Sequence, residues 1–429
     1  MRLTRIIKSF QYFLLIVILF LAPNQLAYHF WPSWSYVYGI RIDYLSPSIY
    51  LSEILILILL FLQIIYFAIN KKTKFHPAAL FKEYRNTIPV VLLFIVNFCI
   101  SDSRQVSGIF ISRIVLLILF ALFIKDFPIK NKLNLIVNTL ATSTIAFAAI
   151  GLSQFIMSHS IQGILYYLGE RAFDTRTIGI SLHSYFGREL LRPYSTFSHP
   201  NSMAGYFLLL SILVTWRRRY LNKLLLPGYC VFLTIILFVS QSKAVFMAAV
   251  SILCFSIINK YYKFKYIKFL PLIFFALGIT ELLIAANSGG LLANILYIDD
   301  RIKLLRVTEI IIKDNVIFGT GFNTFIINIS KGYLAQMTSW ILQPVHNVYA
   351  LVFAESGMLG LLIIYIYAQL IYAKTLLKNN YYTVSIWLAI LVTGLFDHYW
   401  ITIFQNNLML AIVFGLIFNK NMLYDRKNL

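Results

Sequence analysis

Long apolar stretches separated by short polar connections make up most of this chain. A helix needs about 20 mostly apolar residues to cross a bilayer. Stretches that approach this length occupy residues 10–28, 51–69, 88–103, 109–124, 134–156, 202–216, 224–240, 244–259, 269–286, 347–373, 381–396 and 401–418. The pattern therefore predicts an all-α integral membrane protein with about twelve transmembrane helices.

Basic residues are distributed unequally between alternate connections, which tests the predicted number of helices. Cytoplasmic loops are enriched in lysine and arginine. With a cytoplasmic N-terminus and a retained first helix, the even-numbered connections and the two termini together carry 24 of the 37 basic residues, for example those in residues 217–223. This alternation predicts one polytopic membrane domain over residues 1–429. It places two long loops, 157–201 and 287–345, outside the cytoplasm, where we expect the function to lie.

The composition excludes a soluble protein. The chain is 60% hydrophobic and 12% charged, with a mean hydropathy of +0.77, whereas soluble domains carry about 25% charge. The net charge of +21 follows the membrane topology, so we expect contact with membrane lipids and no nucleic-acid partner.

No zinc-binding spacing, Walker loop or Asp-x-Asp sequence occurs, so no metal or cofactor is predicted. Cys99, Cys230 and Cys254 lie in apolar stretches and are interpreted as small core residues.

Arginine is concentrated on the side predicted to face outward, where lysine is scarce. The outward arginines are Arg41, Arg104, Arg113, Arg171, Arg176, Arg188, Arg192, Arg301 and Arg306. Guanidinium groups bind phosphate or carboxylate through paired hydrogen bonds and stay charged when partly desolvated. The excess therefore indicates an anionic ligand on the outer side, with chance in a small sample as the alternative.

The first candidate site segment is R-P-Y-S-T-F-S-H-P-N-S-M-A-G, residues 192–205, just before the sixth apolar stretch. Its prolines prevent an earlier helix, and Asn201 or Ser202 is predicted to cap the helix that follows. Arg192 would then lie beside a helix N-terminus, which is favourable for binding an anion. The alternative is an ordinary loop-to-helix entry with an interfacial arginine. His199 is a second candidate base, and its flanking prolines favour a structural role equally.

The second segment begins at Arg301 with R-I-K-L-L-R-V-T-E-I-I-I-K and ends at Lys313. Its apolar residues recur at helical spacing, which predicts a helix lying along the outer membrane surface. The following Gly319-Thr320-Gly321 predicts a sharp turn with positive φ angles. A single G-x-G without a strand–helix context is only a weak indication of a phosphate-binding loop.

The third segment, H-N-V-Y-A-L-V-F-A-E-S-G-M-L-G at residues 346–360, opens a helix predicted to continue to about Ala373. Asn347 can cap this helix by accepting a free backbone N–H. His346 then lies where water meets lipid, and its imidazole can accept a proton from a hydroxyl near neutral pH. An interfacial histidine without chemistry is the alternative.

Three further features lie near the outer ends of the last helices. Gly357 and Gly360 share one helix face, which would let a neighbouring helix approach closely. Glu355 lies deep in the membrane, where pairing with an arginine or with backbone is favoured over catalysis. The last outward turn, D-H-Y-W at residues 397–400, is interpreted as an aromatic-belt turn. The alternative is that His398 lines the same site from the opposite side.

Four motifs in order resemble those of the bacterial O-antigen ligase and polymerase superfamily, over roughly residues 140–400. They are R-P-Y-S-T-F-S-H-P-N, S-Q-S-K-A, R-I-K-L-L with the later V-I-F-G-T-G, and H-N with the later G-M-L-G. Three positions depart from the usual pattern. Leu361 stands where ligases usually have threonine, Lys243 where arginine is common, and Val316 where proline is common.

The resemblance implies a metal-independent glycosyltransferase in the bacterial cytoplasmic membrane, with its active site facing the periplasm or exterior. The donor would be a glycan on undecaprenyl diphosphate, and the acceptor a hydroxyl of a lipid or glycan, as in lipopolysaccharide synthesis. Arg192 and Arg301 would bind the diphosphate, and His346 would activate the acceptor. The candidates for supporting roles are His199, Asn201, Asn347, Glu355 and His398.

The sequence leaves two other functions open. A polymerase that joins repeat units of O-antigen, capsule or exopolysaccharide would use nearly the same site chemistry with two lipid-linked substrates. A transporter or flippase also suits about twelve spans, although no internal repeat or matched pair of broken helices is visible in the sequence.

Overall fold

The computed structural model describes residues 2–70, 85–185, 187–261, 265–287, 300–332, 342–377 and 380–420. The described chain is mainly helical. Its α-helices are α1 (Arg2–Leu21), α2 (Leu51–Ile69), α3 (Ile88–Ile100), α4 (Arg104–Asp126), α5 (Leu133–Met157), α6 (Pro200–Trp216), α7 (Leu226–Val239), α8 (Lys243–Tyr261), α9 (Leu270–Asn287), α10 (Asp300–Asp314), α11 (Phe325–Gly332), α12 (Val348–Leu376), α13 (Asn380–Phe396), α14 (Tyr399–Thr402) and α15 (Phe404–Phe418).

Each predicted apolar stretch contains a helix. Among the described residues, seven helices are long and apolar enough to cross a membrane, namely α1, α2, α4, α5, α8, α9 and α12. The helices α3, α6, α7, α13 and α15 are apolar but shorter. The protein is therefore an all-α multi-pass membrane protein, as predicted, while the exact number of spans stays a prediction.

The short strands lie in the connections and form antiparallel pairs. They are β1 (Ala27–His29) with β4 (Ser48–Tyr50), β2 (Tyr36–Val37) with β3 (Ile40–Arg41), and β5 (Leu182–Tyr185) with β6 (Arg188–Leu191). The predicted loop 157–201 therefore contains a hairpin. Residues 288–299 and 333–341 of the predicted loop 287–345 lie outside the described residues.

The first predicted span, residues 10–28, is wrong at both ends. Helix α1 already begins at Arg2, and the chain turns after Leu21, where the Asn24 N–H donates to the Leu21 carbonyl at 2.8 Å. Pro23 has no N–H to continue the helix. Ala27 then pairs with Tyr50, so the apolar residues after the turn belong to a strand.

The centre of the bundle is formed by α6 and α15, which are buried on nearly all sides. Tyr206 and Phe207 of α6 and Leu408 of α15 are completely buried. Helix α6 packs against α13, α15, α7 and α8, and α15 also packs against α4. A helix that is apolar all round is expected to be buried in this way.

Helix α12 is broken at Gly357, so the predicted uninterrupted helix is wrong there. Gly357 has φ 65° and ψ −172°. The turn formed by Gly319-Thr320-Gly321 enters the break, where the Gly321 N–H donates to the Glu355 carbonyl at 2.9 Å and the Met358 N–H donates to the Val316 carbonyl at 2.8 Å. Both turn glycines have the predicted positive φ, 73° and 108°. Gly357 thus admits a backbone segment and not a neighbouring helix.

Helix α10 confirms the helix predicted for Arg301 to Lys313, but its environment differs from the prediction. Leu304 and Leu305 are buried, and the helix packs against α9 and α12. The apolar face of α10 is thus covered by protein. Hydrophobic periodicity shows which face of a helix is apolar. It does not show whether lipid or protein covers that face, because the two are equally apolar.

The interpretation of the three cysteines as core residues is also wrong. Cys99, Cys230 and Cys254 are free and exposed at the surface of their helices. A lipid-facing position is as apolar as a core position, so sequence does not separate the two.

Candidate functional site

A cavity of about 760 Å³ lies at one end of the bundle. Its walls come from the connections after α1, α5, α9 and α13 and from the first turns of α4. These connections, and the N-terminal end of α4, lie on the side predicted to face outward. Its charged and histidine lining residues are His29, Asp43, Arg113, Glu170, Arg171, His199, Arg301, His346, Asp397 and His398.

The start of α12 fixes the position of His346. The side-chain oxygen of Asn347 accepts the Ala350 N–H at 2.9 Å, which confirms the predicted N-cap. The Asn347 amide also donates to the Gly278 carbonyl at 3.1 Å and to Glu281 at 2.9 Å. The cap therefore ties the beginning of α12 to α9, and His346 precedes it directly, facing the cavity.

Asp397 is the polar centre of the site. Its Oδ1 lies 3.7 Å from His346 Nδ1 and accepts the His398 backbone N–H at 2.8 Å. Its Oδ2 accepts from the Asn201 amide at 2.9 Å. Burial alone would raise the pKa of Asp397, but its interactions with the His346 side chain and with the neighbouring imidazoles hold that pKa well below its usual range.

Two more histidines surround this pair. The rings of His346 and His398 lie 5.1 Å apart, and His398 Nδ1 shares a 2.6 Å hydrogen bond with the Thr402 hydroxyl. Burial lowers the pKa of His398 to about 3 and that of His199 to about 4, although Asp397 opposes both shifts. Both imidazoles are therefore neutral at neutral pH.

His199 caps α6, so the prediction that Asn201 or Ser202 would cap it is wrong. The His199 Nδ1 accepts the Asn201 backbone N–H at 3.1 Å. Pro200 occupies the first helical position, which makes the residue before it the cap. The Asn201 side chain is thereby left to contact Asp397.

Arg192 lies behind the cavity wall. Its Nε donates to the Ser240 carbonyl at 2.7 Å, its Nη1 to the Ser181 hydroxyl at 2.8 Å and its Nη2 to the Asn201 side-chain oxygen at 2.7 Å. A chain of contacts thus runs from Arg192 through Asn201 to Asp397. Direct binding of diphosphate by Arg192 stays a prediction.

Arg301 lines the cavity, as do two arginines that the motifs did not single out. Arg171 donates to the Ser198 carbonyl at 2.8 Å. Arg113 contacts Glu53 at 2.7 Å and the Ser48 carbonyl at 2.9 Å. All three belong to the outward arginine excess, which is the sequence signal that could have identified them.

Glu355 and the glycine turn lie away from the cavity. Glu355 Oε1 accepts the Phe325 N–H at 3.3 Å at the start of α11. The Thr320 and Gly321 N–H groups donate to the carbonyls of Ala354 and Glu355. These groups hold backbone segments together, which agrees with the backbone partner favoured for Glu355 and not with a phosphate-binding loop.

The turn at residues 397–400 lines the cavity through Asp397, His398 and Tyr399. The structure thus favours the alternative that we considered for this turn, in which it faces the site. His346, Asp397 and His398 each offer one ligand atom, and these three atoms lie within 4.8 Å of one another. This group could therefore hold a metal ion. The expectation that no metal is used stays a prediction.

The fold and the cavity define a multi-pass membrane protein with a His–Asp pair and several arginines at one end of its helical bundle. The family model described as O-antigen ligase matches residues 228–365, a range that includes Arg301 and His346. The match covers about a third of the chain, confirms the resemblance that its motifs predicted and supports a glycan-processing membrane enzyme. No curated protein matches the chain.

Proposed function

We propose that the protein transfers a glycan from undecaprenyl diphosphate to an acceptor hydroxyl on the outer face of the cytoplasmic membrane. The observation that carries this proposal is the contact between His346 and Asp397 inside a cavity that Arg301 also lines. A base oriented by a carboxylate suits activation of a hydroxyl. Nearby guanidinium groups suit a diphosphate leaving group.

His346 serves as the general base in this reaction. Because its Nδ1 faces Asp397, its Nε2 is the nitrogen available to the acceptor hydroxyl. The hydroxyl proton moves to Nε2 while the hydroxyl oxygen bonds to the anomeric carbon of the donor sugar. The bond from that carbon to the diphosphate oxygen breaks, and undecaprenyl diphosphate leaves with the electron pair. His346 then returns the proton to the diphosphate or to water.

Arg301 and Arg171 stabilise the departing diphosphate. Charge develops on its bridging oxygen as the glycosidic bond breaks, and preorganised cations stabilise that charge most effectively in a site shielded from water. Both arginines line the same cavity as His346. Arg192 acts in this scheme through Asn201, which it holds against Asp397.

The decisive experiment replaces the base in cells that make the lipid-linked glycan. The His346→Ala variant should reach the membrane in normal amounts and fail to transfer glycan. The matched control is His159→Ala, because His159 lies in an outward connection but contacts Ser160 and not the cavity. Normal length and yield of the surface glycan in the His346→Ala strain would show that His346 is not the general base.

The same strain separates ligation from repeat-unit polymerisation, which uses nearly identical chemistry. Lipid-linked polymer that accumulates without attachment indicates a ligase. Attachment of single repeat units indicates a polymerase. Normal glycan transfer by the His346→Ala variant, with a defect only in lipid export, would instead point to a transporter.

A further inference from the structure

The cavity extends from His346 to a wall made of two loops that follow α1 and α5. We call residues 24–31 and 162–169 the loop wall. The Asn24 amide donates to the Tyr167 carbonyl at 3.3 Å. A Cβ at Gly169 would lie 2.4 Å from the Leu26 nitrogen, so the two loops are in direct contact. The loop wall is therefore one continuous surface of the cavity.

Two amide side chains of the loop wall have buried atoms without a hydrogen-bond partner. They are Oε1 of Gln25, an acceptor, and Nε2 of Gln162, a donor, and both residues line the cavity. A buried polar atom without a partner costs about 1–3 kcal/mol, so native proteins contain few of them. Each glutamine amide carries both a donor and an acceptor, a combination that suits the hydroxyl groups of a ligand in the cavity.

The backbone of Gln162 supports a functional role for this wall. Its φ of 63° and ψ of −153° lie in a region that is essentially restricted to glycine. Glu170 holds this conformation, because its carboxylate accepts the N–H groups of Ile161 at 2.8 Å and Gln162 at 2.5 Å. Such strain persists only where surrounding contacts enforce it, and it clusters at ligand sites.

Aromatic rings complete the loop wall. Tyr166 lines the cavity and remains 56% exposed, and Trp31 lines the cavity with the His29 ring stacked 5.8 Å away. The negative face of an aromatic ring attracts weakly positive C–H groups, such as those on the face of a sugar ring. Amides and rings together suit a neutral, polyhydroxylated ligand better than they suit a diphosphate.

We propose that the loop wall is a carbohydrate subsite that holds a neutral sugar residue of the glycan donor or of the acceptor. Gln25 and Gln162 bind its hydroxyl groups, and Tyr166 and Trp31 pack against its ring. The inference rests on the proposed glycan transfer, because that reaction brings a sugar into the cavity. It assigns substrate recognition to residues that take no part in proton transfer.

The test uses the full-length protein in detergent and saturation-transfer NMR with the methyl glycosides of glucose, galactose and N-acetylglucosamine. The wild-type protein and the His346→Ala variant should both transfer saturation to at least one glycoside. Tyr166→Ala should reduce binding by about fivefold, since a ring contact contributes on the order of a fivefold change in affinity. Tyr261→Ala is the matched control, because Tyr261 is similarly exposed, lies outside the loop wall and does not line the cavity.

A second variant tests the wall without disturbing the fold. Gln162→Gly removes the amide at a backbone conformation that glycine favours, so its thermal stability should equal or exceed that of the wild type. Its glycoside signal should nevertheless fall. In the transfer assay, a higher KM for the lipid-linked donor assigns the subsite to the donor, and a higher KM for the acceptor assigns it to the acceptor.

Two results would overturn the subsite. One is the absence of any glycoside signal from the wild-type protein, and the other is equal signals from the wild type, Tyr166→Ala and Gln162→Gly. Both are independent of the base, because binding is measured without turnover. Normal glycan transfer by His346→Ala with an intact glycoside signal would reject the proposed mechanism and not the subsite.

Discussion

Asp397 connects three segments of the site through single contacts. It accepts hydrogen bonds from Asn201 and from the His398 backbone, and it lies beside His346. The 3.7 Å between His346 Nδ1 and Asp397 Oδ1 is longer than a hydrogen bond, so Asp397 acts on His346 through its charge. At the residue scale, His346 therefore has a carboxylate partner that is remote from it in sequence.

We predict that Asp397→Asn reduces the rate of glycan transfer by about 10²–10⁴-fold, because the amide cannot stabilise a protonated imidazole. The measurement is transfer from lipid-linked donor by the purified protein. Asp174→Asn is the control, since Asp174 is an exposed outward aspartate outside the cavity. A kcat within threefold of the wild type would show that His346 works without its carboxylate.

The neutral histidines predict how stability depends on pH. The folded-state pKa values of His199 and His398 are about 4 and about 3, below the usual value of 6.5. Between about pH 6.5 and 4 the unfolded chain therefore binds more protons than the folded one, so stability falls as pH falls through this range. Thermal unfolding midpoints between pH 7.5 and 4.5 measure this slope.

Replacing one of these histidines checks the origin of the slope. His398→Gln should flatten the decrease in the unfolding midpoint toward acidic pH, because it removes one group that must be protonated on unfolding. The wild-type protein is measured under the same conditions as the reference. Identical slopes for the wild type and His398→Gln would locate the pH dependence elsewhere.

The sequence identified some of these residues and misinterpreted others for a physical reason. His346 was recognisable because it opens a strongly apolar helix after a polar loop. Asp397 was assigned to an aromatic-belt turn, because its contact with Asn201 spans 196 positions of the chain. Local patterns report the depth of a residue in the membrane, but they do not report which distant turn faces it.

At the scale of single elements, α12 shows where helix prediction from apolar periodicity fails. Apolar residues continue through Gly357, so the pattern predicts one helix. The break depends on a partner segment, since the turn around Gly319 supplies the hydrogen bonds that the interrupted helix lacks. Gly357 and Gly360 both suggested close approach. At Gly360 the approaching group is Leu93 of α3, but the sequence did not show that the element approaching Gly357 is backbone.

Gly357→Ala should lower the free energy of unfolding by about 2 kcal/mol or more, since φ is positive there. Its Cβ would also lie 2.4 Å from the Ile317 carbonyl carbon. The thermal unfolding of detergent-solubilised protein measures the loss. Gly394→Ala is the control, because its nearest side-chain atom is 3.6 Å away. Equal unfolding midpoints for the two variants would contradict the strain argument.

At the scale of the whole molecule, the cavity is lined by the connections that the charge pattern predicted to lie outside the cytoplasm. Those after α1, α5, α9 and α13 all contribute to its lining. The arrangement of basic residues therefore predicted which ends of the helices come together. It did not predict the order of packing, because lipid-facing and protein-facing positions are equally apolar.

Labelling of introduced cysteines tests this topology. In a background where Cys99, Cys230 and Cys254 are replaced by serine, Arg176→Cys should react with a membrane-impermeant maleimide in right-side-out spheroplasts. Arg219→Cys should react only after permeabilisation. Both positions are exposed, so access to the reagent depends on the side of the membrane. Labelling of Arg219→Cys in sealed spheroplasts would invalidate the predicted orientation.

The insertion of the glycine turn into α12 also sets a fixed dimension in the protein. Four backbone hydrogen bonds join residues 316–321 to residues 354–359. They lock the segment that follows α10, which carries Arg301, to the helix that begins beside His346. The spacing between Arg301 and His346 is therefore built into the scaffold. In the proposed reaction, a substrate must bring its reactive carbon and its leaving group to that spacing, so the scaffold itself would limit which bonds the enzyme can break.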